Sequence, residues 1–246
     1  MGGGRNSCLL VGMKCSSKQW LNLSLRILSC FKLPEGLCHD LNVMFQNFWW
    51  GHHDKAKKAH WIYWGKLCTS KDVEGLGFQD LRTFNLALLA KQGWHFLQNL
   101  EALISRMFKA KYFPNCDFLE ARVGHRPSYA WRSIIAARPT LMLGLRWQIG
   151  DGRLARITED PWLPLSSSFK SHSAQQCLDS NEKILILISK GSHSWNEDAI
   201  RGLFSTWEAN IILSILLPPW PRPDQLLWNA TKLGRFSVKS VGYVEH

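Results

Sequence analysis

Apolar positions along this chain recur mostly at spacings of three and four, which is helical periodicity, and only locally in the shorter runs typical of strands. Residues 19–32 (QWLNLSLRILSCFK) predict a short helix entering the fold. In LPEGLCHDLNVMFQNFWW, Pro34 marks a helix start and Leu37, Leu41, Met44, Phe45 and Phe48 keep the period until Gly51 stops it. HWIYWGKLC (60–68) predicts one or two helical turns, and SKDVEGLGFQDL (70–81) a glycine-broken loop. TFNLALLAKQGWHFLQN (83–99) is apolar around most of its circumference, which predicts a central, largely buried helix. ALISRMFKAKYF (102–113) predicts a second helix, ended by Pro114, and SYAWRSIIAARPTLML (128–143) a third, bent or broken at Pro139.

Beyond that helix the texture changes. LRWQIGDGRLARIT (145–158) sets Gly-Asp-Gly between two segments rich in apolar residues, which predicts a β-hairpin. LLWNATKLGRFSV (226–238) predicts another around Lys232–Gly234. Between them, PWLPLSSSFKSHSAQQ (161–176) reads as a loop and KILILIS (183–189) leans towards helix. Asn196 is placed to cap a further helix, with Glu197 and Asp198 at its positive end. The expected fold class is mainly α (α+β): a helical bundle with one or two small β-hairpins. The chain shows no internal repeat and no low-complexity run.

Composition sharpens this in one respect. At 246 residues, with 46% hydrophobic and 20% charged residues, the chain is long and apolar enough for a globular core, and disorder is not expected across most of it. The net charge is +11, and residues 1–150 hold 20 Lys/Arg against 9 Asp/Glu while residues 151–246 hold 10 of each. The surplus therefore falls on the first three-fifths, and a one-sided positive field draws polyanions, nucleic acid foremost. Seven scattered cysteines without a CxxC argue against a disulfide framework and for a reducing compartment. No apolar run approaches the ~20 residues of a membrane span, so no membrane partner is expected. Residues 1–18 read as a loose tail: the apolar run is too short for a secretory signal, and Asn6 stands where myristoylation wants Ser or Thr.

Little in the chain points to catalysis. Two-metal phosphoryl transfer needs carboxylates that hold cations roughly 4 Å apart. The adjacent acids Glu159-Asp160 and Glu197-Asp198 read instead as a turn and a helix start. GLGFQD (75–80) is half of a GxGxxG, with Asp80 in the third glycine place. No P-loop, HExxH or GxSxG occurs, and no cofactor is expected. The stretch NFWWGHHDKAKKAHWIYWGKLC (47–68) is denser in candidate chemistry. His52, His53 and His60 lack the ligand spacing of a metal site, so none is expected. Trp61 and Trp64 lie three apart, a spacing of packed helix edges more than of base-stacking platforms. Lys55, Lys57 and Lys58 form either a solvated loop or a contact to phosphates.

Several phrases together resemble a known family. SCFKLPEGLC, FWWG, HWIYWGKLC, EGLGFQDLRTFNLALLAKQGW, RMFKAKYFPNCDFLEARVGHRPSYAWRSI, GLRWQIGDG and EDPWLP occur in this order. They are similar to plant LINE-type (non-LTR) retrotransposon reverse transcriptases, downstream of the polymerase palm. The same block resembles a stand-alone plant mitochondrial open reading frame. LLWNATKLGRFSVKSVGYV resembles the start of the reverse-transcriptase zinc-binding region. The resemblance implies a thumb-like helical region over 24–164, a linker over 165–194, and the start of the zinc-binding region within 195–246. Residues 1–23 match poorly, and Thr158 stands where the family pattern leads to a tryptophan. The catalytic acids of palm and RNase H fall outside the matched phrases, so no polymerase activity is expected of this chain.

The combined expectation is a retrotransposon-derived, non-catalytic fragment that binds the backbone of RNA or DNA. The residues expected to touch phosphate are Lys55, Lys57, Lys58, Lys66, Lys91, Arg106, Lys109, Lys111, Arg126 and Arg132. The alternatives are a helical protein-interaction module, in contact with other segments of a retroelement polymerase, and a remnant without function.

Overall fold

The computed structural model describes residues 28–49, 64–68, 80–165, 169–174, 178–189, 191 and 193–243. The chain divides into two compact units, Met1–Leu141 with Val241–His246, and Met142–Ser240. Residues 28–30 are helical, and the helices with both ends described are α1 (Glu35–Trp49), α2 (Trp64–Cys68), α3 (Leu81–Gln98), α4 (Leu103–Tyr112), α5 (Tyr129–Ala136), α6 (Arg138–Gly144), α7 (Glu197–Leu203) and α8 (Thr206–Ser214). The strands are β1 (Leu145–Gln148) and β2 (Gln225–Trp228), and Ile184–Leu187 and Val238–Tyr243 are 3-10 turns. The fold is mainly helical with a small antiparallel β element, as the periodicity predicts. Most of the expected helix at 19–32 and most of the glycine-broken loop at 70–81 lie outside the described residues.

The helix starts follow from local chemistry. Asp80 accepts the Thr83 N–H at 3.0 Å and opens α3, which explains an acid where a phosphate loop would need glycine. Ser128 caps α5 through the Trp131 N–H, and Asn196 caps α7 through the Ala199 N–H. The third predicted helix is two helices, α5 and α6, that meet at Ala137. The expected break is present, and Pro139 lies in the first turn of α6, where no backbone donor is needed.

In the first unit, buried Leu89, Ala90, Phe96, Phe113, Phe118 and Trp131 form much of the core. Trp131 is fully enclosed, stacked on Tyr112 at 4.8 Å and on Phe113 at 5.5 Å. Phe96 of α3 meets Phe108 of α4 at 5.2 Å, so aromatic contacts tie α3, α4 and α5 together. Polar side chains fasten the segment before α1. Buried Asn85 donates to the carbonyls of Leu28 and Phe31 and accepts the Leu33 N–H. Tyr129 donates to the Lys32 carbonyl, while Ser133 accepts the Lys32 N–H.

In the second unit the β element departs from expectation in its pairing. The strands are not paired within either predicted segment: β1 pairs with β2, Leu145 opposite Trp228 and Gln148 opposite Gln225, while the second segment keeps a turn in which the Trp228 N–H donates to the Gly234 carbonyl. Gly150-Asp151-Gly152 is therefore not a hairpin turn. It wraps the buried carboxylate of Asp224, whose Oδ1 accepts the N–H groups of Gly150 (2.7 Å) and Gly152 (2.9 Å). Its Oδ2 accepts those of Leu154 (2.8 Å) and Ala155 (3.2 Å). A Cβ at Gly150 would lie 2.0 Å from the Arg222 carbonyl oxygen, and Gly152 adopts φ +72°, so this wrapping selects both glycines. Ile149, Ile157, Trp162, Leu163, Ile184, Leu187, Ile200 and Ile212 form the core beneath.

A second buried carboxylate anchors α8. Glu208 accepts the hydroxyls of Ser171 and Ser173 and the N–H groups of His172 and Ser173. Burial alone would raise its pKa, but these hydrogen bonds outweigh burial and hold it below the ordinary 4.5. A depressed folded pKa gives stability that is complete above the unfolded value and lost as pH falls through the folded one. The melting temperature should therefore drop as pH falls below 4.5, and Glu208→Gln should lower it at neutral pH while flattening that acid slope. Melts from pH 3 to 7, monitored by circular dichroism, decide this; a Gln variant with the wild-type acid slope would remove Glu208 as the source.

Candidate nucleic-acid interface

The sequence-predicted basic residues fall into three groups. Lys55, Lys57 and Lys58 lie outside the described residues. Lys66 is exposed on α2 and Lys91 is exposed on α3. Arg106, Lys109 and Lys111 ride on α4, Arg126 lies in the connection to α5, and Arg132 is on α5. All of these are exposed except Lys109, which is half-buried.

Three of them flank one junction of the fold. Tyr112, the last residue of α4, stacks on Trp131 within 5° of parallel and accepts the Ser128 N–H at 3.2 Å. In sequence Lys111 is next to Tyr112, Arg126 is two residues before Ser128 and Arg132 is one after Trp131, so all three flank this junction. Lys111 Nζ lies 5.2 Å from the Tyr112 ring centre, and the Arg132 guanidinium 5.6 Å from that of Tyr129. Rings thus steady both cations without neutralising them. Arg106 and Lys109 continue the basic character along α4. Lys91 stands apart, one turn before His95, whose pKa is lowered by burial and then by the Lys91 charge.

None of Lys91, Arg106, Lys109, Lys111, Arg126 and Arg132 forms an ion pair among the described residues. Other arginines are committed to the fold. Arg138 donates to the carbonyls of Ala121 and Phe118, Arg82 pairs with Glu35, and Arg156 grips Asp160 through Nε and Nη2. The last pair makes Glu159-Asp160 a tied turn, and Glu197 pairs with Arg201 along α7.

The remaining titratable groups point to packing. Burial first, and the Asp80 charge second, raise the thiols of Cys38 and Cys68, which leaves both protonated at neutral pH. Among the described residues no three His, Cys, Asp or Glu side chains gather to hold a metal ion. Sequence reading missed Asp224 and Glu208, because their donors lie far along the chain and no spacing motif announces them.

A mainly helical protein with unpaired cations on its first unit and enclosed carboxylates in its second is the class defined by fold and surface. No family model matches the chain, and no solved structure does. It is 44% identical to an uncharacterised mitochondrial protein of Arabidopsis thaliana over 137 residues, 55% of this chain and 89% of that protein. The chain belongs to the family of that plant mitochondrial protein. It is also 28% identical, over 220 residues, to an Arabidopsis thaliana protein named "Putative ribonuclease H protein". That match covers 87% of this chain but 35% of the relative, so the chain spans about a third of that longer protein.

Proposed function

We propose that this chain is a retroelement-derived, non-catalytic fragment of reverse-transcriptase ancestry that binds the phosphate backbone of RNA or DNA without reading sequence. The observation that supports it is the set of unpaired cations on α3, α4, α5 and the α4–α5 connection. Lys and Arg with no protein counter-charge are free to neutralise phosphates and release condensed counterions. The ordered phrases shared with LINE-type reverse transcriptases support the ancestry. On that reading 24–164 is thumb-like, 165–194 is a linker and 195–246 holds the start of a zinc-binding region. The longer relative's ribonuclease H name fits such a lineage.

The test is a salt titration of the full chain on an RNA–DNA hybrid and on B-DNA of matched length. Wild type should lose affinity steeply with salt, at a log–log slope near −0.9 per phosphate contact on B-DNA. The variant Arg106→Gln/Lys111→Gln/Arg126→Gln/Arg132→Gln should flatten that slope by about 0.9 per contact removed. Binding that is absent at low salt, or indifferent to salt, sinks the proposal.

A second reading has one observation in its favour. Leu100, Leu103, Ile104 and Met107 recur at helical spacing and are all exposed, Leu103 at 71%. Such a stripe suits a protein partner, including other segments of a retroelement polymerase. The same glutamine variant discriminates, because it should leave an apolar interface largely intact.

A further inference from the structure

By sequence, the part of the chain after residue 150 is electrically balanced, but its carboxylates are not all at the surface. Asp224 and Glu208 are 4% and 3% exposed, each enclosed by hydrogen-bond donors. Asp224 is the only acid between Arg222 and Lys239, a segment that also carries Lys232 and Arg235. Its carboxylate is taken up by backbone amides, and among the described residues none of those cations forms an ion pair with it.

One more cation belongs with them. Arg146 lies on β1 directly opposite Leu227 of β2, and directly opposed residues project from the same face. Arg146 is half-buried, its Nε is enclosed with no hydrogen-bond partner, and it forms no ion pair among the described residues. Burial lowers its pKa, yet a guanidinium stays charged at neutral pH. A partly desolvated charge without a partner costs stability, and an anionic ligand would offset that cost.

The turn after β2 completes the surface. Gly234, at φ +66°, sits so close to Leu227 that a Cβ there would lie 2.8 Å from the leucine Cδ2. The Gly234 carbonyl accepts the Trp228 N–H at 2.9 Å, and the Thr231 hydroxyl donates to the Arg235 carbonyl at 2.7 Å. The turn is therefore fixed against the strand residue that faces Arg146, with Lys232 and Arg235 both exposed beside it. On the Arg146 face the pair also presents exposed Gln148 and Gln225, neutral donors suited to phosphate oxygens.

We propose that this face, Arg146 with Gln148, Gln225, Lys232 and Arg235, is a second phosphate-backbone contact, located in the Met142–Ser240 unit. It extends the nucleic-acid reading above to a separate surface and is tested separately from it.

The test uses the full chain and a fluorescently labelled B-DNA duplex, with binding followed as potassium chloride is raised. Lys232→Gln/Arg235→Gln alters only exposed side chains and should preserve the fold. It should flatten the salt slope by about 0.9 per contact and weaken binding roughly tenfold or more at 0.1 M salt. Arg146→Leu should also weaken binding, with a melting temperature equal to or above wild type. The four-residue variant of the first unit, measured alongside, keeps the two readings apart. If that variant changes nothing while the Lys232/Arg235 pair lowers the slope, the second contact stands and the first reading fails. An unchanged slope in the Lys232/Arg235 variant overturns the site. A lower melting temperature in Arg146→Leu removes Arg146 from it. Equal affinity for polyglutamate of matched charge overturns the assignment to phosphate in favour of an acidic protein.

Discussion

Asp224→Ala is expected to cost roughly 3 kcal/mol or more, because each buried donor left unsatisfied costs about 1–3 kcal/mol and the buried N–H groups of Gly150, Gly152 and Ala155 lose their acceptor together with the partly exposed one of Leu154. The loss should fall on the Met142–Ser240 unit, since Gly150, Gly152, Leu154 and Ala155 are all donors within it. Asp224→Asn separates shape from charge. Its remaining oxygen can serve Gly150 and Gly152, but its amide would then face the N–H groups of Leu154 and Ala155, donor against donor. The asparagine variant should therefore fall between wild type and alanine. Urea unfolding with hydrogen exchange at the 150–155 amides measures both the loss and its location. An alanine variant within about 1 kcal/mol of wild type would mean that the loop finds other acceptors.

What the sequence revealed and what it hid divide along the range of the interactions. Helix positions were legible because their causes are local. Asp80, Ser128 and Asn196 each cap a backbone N–H three residues ahead, and the apolar period is visible in any short window. The partner of each strand was not legible. Gly-Asp-Gly between apolar segments is a strong local signal for a hairpin, but it was overruled by a carboxylate some seventy residues away that needed unhindered amides. Nothing near Asp224 in sequence distinguishes it from an ordinary loop acid.

The candidate site shows the same split. Residue type and exposure of the basic positions could be read from helical patterning. That Lys111, Arg126 and Arg132 flank one junction could not, because that junction is made by the stack of Tyr112 on Trp131. Net charge misled in the second unit for a related reason. Asp224 and Glu208 balance the count after residue 150 although both are engaged by neutral donors and neither forms an ion pair among the described residues, and so Lys232 and Arg235 escaped notice.

Trp131 is where stability and the basic surface of the first unit meet, and Trp131→Ala should cost about 3–5 kcal/mol, the range for emptying a buried aromatic site. The residue is fully enclosed and touches Phe108, Tyr112, Phe113 and Phe118, so its loss leaves rings from several directions facing a cavity. Trp131→Phe should be much milder, about 1–2 kcal/mol, because the indole Nε1 has no hydrogen-bond partner among the described residues and its removal strands none. The pair of variants also reports on binding. Lys111, Arg126 and Arg132 all lie within two residues of this α4–α5 junction in sequence, so loosening it in the alanine variant should lower the salt-dependent affinity while the protein is still folded at low temperature. The phenylalanine variant keeps a ring between α4 and α5 and should retain it. Denaturant unfolding and the salt titration, run on both proteins, check the two effects side by side. A phenylalanine variant as unstable as alanine would give the indole nitrogen a bonding role. An alanine variant that folds and binds with the wild-type slope would uncouple the basic cluster from the aromatic stack.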